Sequence, residues 1–125
     1  MRKPATLLLL LLLVALVAAC SSDTSEQIEG VWNDTVTGSY IEYDEEGQYQ
    51  VDFTPRFGDP FEWGTYTFDG ETLTASSASP HCADTAVTWT VVFSDDGDQT
   101  DWTLVEDSCV GSDRSQDLMM IRQGA

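Results

Sequence analysis

Apolar and polar positions follow two regimes along this chain. Leu7 to Val17 is an almost unbroken apolar run behind Met1, Arg2 and Lys3. It is too short for a comfortable transmembrane helix, which needs about 20 apolar residues. With small Ala18 and Ala19 following it, the run has the form of a helical export signal. From Gly30 onward there is little helical period and much alternation. Tyr49, Val51 and Phe53 alternate with Gln48, Gln50 and Asp52, and Val87, Trp89, Val91 and Phe93 with Thr88, Thr90 and Val92. Trp102 and Leu104 likewise alternate with Thr103 and Val105. Period two with β-branched and aromatic residues marks half-buried strands. Glu46-Gly47, Asp69-Gly70 and Asp96-Gly97 place glycine where a tight turn needs positive φ.

These signals predict strands over 30–34, 39–44, 48–54, 61–68, 71–76, 85–94, 99–106 and 117–123. The expected fold class is all-β. About eight short strands joined in sequence make an antiparallel up-and-down meander, which can close into a small barrel and so remove its edges. An open sheet or a two-sheet sandwich fits the same pattern. Within 61–68, Trp63 is out of phase with Tyr66 and Phe68, and Gly64 between them suggests a bulge or sharp bend.

Val17, Ala18, Ala19 and Cys20 resemble the lipobox of bacterial lipoproteins. The resemblance implies that a signal peptidase cuts before Cys20 and that Cys20 carries a diacylglycerol, with fatty acyl chains such as palmitate. It implies anchorage in the cell envelope, on the extracytoplasmic side of a bacterial membrane. Ser21 stands where many Gram-negative lipoproteins carry the Asp that favours inner-membrane retention. The expected organisation is a signal peptide at 1–19, a lipidated flexible tether at 20–28 and a barrel domain at 29–125. An uncleaved membrane anchor is the alternative.

Charge sharpens this picture. Arg2 and Lys3 leave with the signal, so 22 acidic residues face three arginines, a formal charge of about −19. Such a surface repels nucleic acid and anionic headgroups. It suits either solubility in a salty habitat or capture of cationic partners. Cysteine use agrees with export. Once Cys20 takes lipid, Cys82 and Cys109 are the remaining pair, and disulfides persist outside the cytoplasm. The other reading makes these two thiols metal ligands with His81, although no CxxC or HxxxH spacing supports it. Neither a metal nor a cofactor is expected.

Gly30-Val31-Trp32 resembles the Gly-x-Trp that opens the first strand of the lipocalin superfamily, where the Trp packs across the closed end of the barrel. The stretches Phe61 to Tyr66, Phe68 to Thr74 and Val105 to Cys109 are also similar to segments of small bacterial lipocalin-like proteins. The resemblance implies a lipocalin-like barrel with an apolar interior. It also implies an arginine over the first Trp, for which Arg122 in the last strand is better placed than Arg114. The chain is shorter than typical lipocalins, so a shallow interior is expected. Eight strands leave room either for packed side chains or for one small ligand.

Candidate ligand contacts are the aromatics Trp32, Tyr49, Phe53, Tyr66, Phe68, Trp89 and Trp102, which otherwise simply fill the core. Phe57 to Phe61 form a turn-rich loop that could expose aromatics at a barrel mouth. No convincing catalytic set is found. His81 is the single histidine, with Ser79, Ser108 and Asp107 as imaginable partners only if the loops meet. Asp95, Asp96, Asp98 and Asp101 lack EF-hand spacing and read as a solvated turn. Asn33-Asp34-Thr35 is a formal glycosylation sequon in a chain where that machinery is not expected. The expectation is a non-enzymatic, monomeric, membrane-tethered protein that binds a small apolar or amphipathic molecule. The alternative is a structural or interaction protein of the envelope with a filled core.

Overall fold

Eight antiparallel strands close on themselves in sequence order, with the last returning to pair with the first. This computed structural model describes residues 24–109 and 116–124, so the signal peptide, Cys20 and Arg114 lie outside the described residues. The strands are β1 (Gly30–Asp34), β2 (Tyr40–Tyr43), β3 (Gln48–Asp52), β4 (Glu62–Phe68), β5 (Thr72–Ser77), β6 (Ala86–Phe93), β7 (Gln99–Asp107) and β8 (Leu118–Arg122). Closure pairs Trp32 with Arg122 and Asp34 with Met120, so neither β1 nor β8 is left as an edge. The open-sheet and sandwich alternatives are thereby excluded.

Alternation works as expected in most strands. Val87, Trp89 and Val91 of β6 point inward and are buried, as are Tyr49 and Val51 of β3 and Thr100 and Trp102 of β7. Aspartates hold the turns between them. Asp44 Oδ1 accepts from the amides of Glu46 (2.9 Å) and Gln48 (2.8 Å), and Asp69 Oδ1 from those of Glu71 (2.9 Å) and Thr72 (2.7 Å). Asp96 Oδ1 accepts from Asp98 N at 3.0 Å and from Ser94 Oγ at 2.6 Å. Gly47, Gly70 and Gly97 take positive φ in the same three turns. The acidic runs therefore include turn caps.

Three expectations need correction. Gly64 is not a bulge: β4 stays in register with both neighbours across it. Glu62, Gly64, Tyr66 and Phe68 share the inward face without a break, and Trp63 faces outward, 40% exposed. Glycine is required there because a Cβ would lie 2.0 Å from the carbonyl oxygen of Ser76. The irregularity falls instead between β6 and β7, where Thr88 pairs with Glu106 and Trp89 with Leu104, leaving Val105 unmatched and exposed.

Phe53 does not continue β3. Val51 and Asp52 are both buried, so alternation stops, and Phe53 is 70% exposed in the loop. The Asp52 carboxylate ends the strand by accepting from Thr54 N (3.3 Å) and Asp59 N (3.0 Å).

Thr24 to Ile28, assigned to the tether from their polarity, join the barrel. Thr24–Gln27 form a 3₁₀ turn and Ile28 is fully buried. The Ile28 carbonyl accepts from Trp32 Nε1 at 2.8 Å. This segment closes the end at which β1 starts. Inside that end, Phe93 lies edge-on to Trp32 (centroids 6.2 Å apart) and 5.9 Å from Phe68.

Candidate functional site

Side-chain size along the inward faces decides where the barrel is hollow. Running from the open to the closed end, β4 presents Gly64, Tyr66 and Phe68, and β5 presents Ser77, Ala75 and Leu73. β6 begins with Val87 before Trp89. Large groups fill the lower half, where Trp102 meets Trp89 in a T-shaped contact (5.5 Å) and Tyr43 in a stacked one (6.0 Å). Tyr66 lies 4.9 Å from Tyr43 and donates its hydroxyl proton to Asp44 O at 2.6 Å. The upper half, where Ala75 and Val87 face each other on β5 and β6, stays open as a cavity of about 430 Å³. An eight-stranded interior was expected either to fill or to hold a ligand; here one half is filled and the other is hollow.

The cavity opens among the loops joining β1 to β2, β3 to β4 and β5 to β6. Ile41, Val51, Val87, Leu118 and Met120 give it aliphatic walls, and Tyr43 lies on its floor. Of the aromatics expected to meet a ligand, Tyr49, Phe53 and Trp89 line it. Trp32, Tyr66, Phe68 and Trp102 are buried but do not line it: they build the packed lower half. Phe53 contributes from the rim, where its ring stacks on Phe61 with centroids 4.5 Å apart.

Two carboxylates reach the cavity that strand patterning alone did not single out. Asp34 ends β1 and is 2% exposed. Its Oδ1 accepts from Val36 N (2.9 Å) and Thr37 N (3.4 Å), and its Oδ2 from Thr37 Oγ1 (2.7 Å). Glu62 opens β4 on the same inward face as Tyr66. The available signal for Glu62 was parity, since it lies two and four residues before Gly64 and Tyr66. Burial pushes the Tyr43 hydroxyl well above the usual tyrosine range, and Tyr49, Glu62, Tyr66 and Asp34 add to that shift.

The β5–β6 loop forms another wall. Cys82 is bonded to Cys109 (S–S 2.02 Å, Cα–Cα 5.6 Å), so the disulfide expectation holds. The bridge ties this loop to the end of β7, and Cys82 itself lines the cavity. One ring nitrogen of His81 and the two sulfurs lie within 4.8 Å of one another, but the sulfurs are joined to each other. His81 is exposed at the rim. Its imagined partners are engaged elsewhere: Ser79 Oγ with Ser77 Oγ (2.8 Å), Ser108 Oγ with Ala86 O (3.0 Å) and Asp107 Oδ1 with Cys109 N (2.8 Å).

No known protein family, curated protein or solved structure matches this chain. The case for function therefore rests on the site.

Proposed function

We propose that this protein is an extracytoplasmic lipoprotein, tethered through Cys20, whose lipocalin-like barrel holds a small apolar or amphipathic molecule. The observation that carries the binding reading is the cavity of about 430 Å³ with aliphatic and aromatic walls and a polar mouth. Ligand sites are concave, mostly apolar and typically about 300 to 1,000 Å³, with a few placed polar groups. The Arg122 guanidinium over Trp32 supports the lipocalin-like reading, since it forms the stack that the resemblance implies. The lipobox and the apolar run before it support the tether.

An interaction protein of the envelope is the second reading, favoured by the exposed Phe53–Phe61 stack on the rim. Titration with an uncharged apolar probe separates the two. A ligand entering the cavity quenches or shifts Trp89 emission saturably, and Ala75→Leu, which fills the space beside Val87, abolishes the response while the barrel stays folded. No saturable change would leave the interaction reading. For the tether, Cys20→Ala moves the protein from the membrane to the soluble fraction; retention with an intact signal means an uncleaved anchor.

A further inference from the structure

The cavity is apolar in body and acidic at its opening. Asp34 at the top of β1 and Glu62 at the top of β4 both line it. Asp34 accepts from neutral donors, which orient the carboxylate without cancelling its charge. Of the arginines in the mature chain, Arg122 sits at the closed end, exposed Arg56 does not line the cavity and Arg114 lies outside the described residues. The Tyr43 hydroxyl on the cavity floor, raised first by burial, is pushed further up by both Glu62 and Asp34. The mouth also carries π faces, Phe53 and Phe61 on the rim with Tyr49 and Trp89 inside.

We infer that the ligand is a cationic amphiphile, its apolar body in the cavity and an ammonium-type head at the mouth facing Asp34 and Glu62. This rests on the binding reading above and names the ligand class for that site. Three features act together. Carboxylates attract the head at short range, where low dielectric walls weaken screening. Aromatic faces favour quaternary ammonium groups over carboxylates. The strongly negative surface draws cations toward the mouth and repels anionic amphiphiles such as fatty acids.

The test compares three molecules with one chain and different heads: decyltrimethylammonium, decanol and decanoate. Each is titrated below its micelle concentration into the purified protein in zwitterionic nanodiscs, with the Ala75→Leu protein in matched nanodiscs as the blank. The expected result is affinity in the order ammonium, alcohol, carboxylate, with at least about a tenfold gap between the extremes that narrows as salt is raised. Glu62→Gln and Asp34→Asn each narrow the gap by weakening the ammonium ligand more than the alcohol. Should Asp34→Asn fail to fold, Glu62→Gln and the salt series decide the matter. Equal affinity for all three heads, or tightest binding of decanoate, overturns the head-group inference and leaves the binding reading standing. No binding above the blank by any of them overturns both.

Discussion

The guanidinium carbon of Arg122 lies 4.2 Å from the centroid of the Trp32 ring, across the seam where β8 pairs with β1. The same group donates to Glu29 O (NH1, 2.8 Å) and Gln27 O (NH2, 2.7 Å), and its Nε is 3.7 Å from Asp98 Oδ1. One side chain thus ties the closing seam to the N-terminal segment and touches the β6–β7 turn. Exposed Asp98 contributes little to this, because a solvated pair is screened. The cation–π contact and the carbonyl bonds matter more. Arg122→Ala is expected to cost about 2 to 3 kcal/mol in urea unfolding, and Arg122→Lys to recover less than half of it, because an ammonium cannot reproduce the planar fork.

Gly64→Ala is expected to destabilise the barrel by at least about 2 to 3 kcal/mol. The new methyl would meet the Ser76 backbone at 2.0 Å, and a strand carbonyl held in a ladder cannot move aside cheaply. Thermal melting checks this against Gly58→Ala, which adds a Cβ into open space and should change little. Comparable melting of the two variants would contradict the close approach.

Removing the Cys82–Cys109 bridge by a double serine substitution should lower stability by about 3 to 4 kcal/mol in the chain-entropy model. Because Cys82 lines the cavity, hydrogen exchange of the β5–β6 loop should rise more than that of β1. A uniform rise would show that the bridge acts only on global stability.

The raised Tyr43 hydroxyl predicts an alkaline limit. The folded protein keeps that proton to higher pH than the unfolded chain does. Its contribution is therefore complete below about pH 10, the ordinary tyrosine value, and is lost as pH rises toward the folded value. Stability measured by denaturant should fall above about pH 10, and Tyr43→Phe should flatten that slope. Tyrosinate absorbance should show a late-titrating tyrosine in the wild type that the variant lacks.

Strands were legible because a barrel wall has one wet and one dry face, and the side-chain period of two writes that difference into β3, β6 and β7. Turns were legible through Asp-Gly chemistry. What alternation alone could not convey was the meaning of exceptions. Trp63 looks like a core residue by hydrophobicity, yet parity places it outside and Glu62 inside. Phe53 continues the alternation on paper, while Asp52 turns its backbone out of the sheet. The hollow was the least legible feature, since it lies where small Ala75 of β5 stands opposite Val87 of β6. That juxtaposition depends on register, which hydrophobicity does not encode.

The docked segment from Thr24 to Ile28 gives the particle a direction. It sits at the closed end, and Cys20 is four residue steps before Thr24, a reach of at most about 15 Å. If Cys20 carries the lipid proposed above, the base of this cup would rest close to the headgroups and its opening would face away from the anchoring bilayer. A ligand of the kind proposed would then enter from the aqueous side rather than out of the anchoring leaflet.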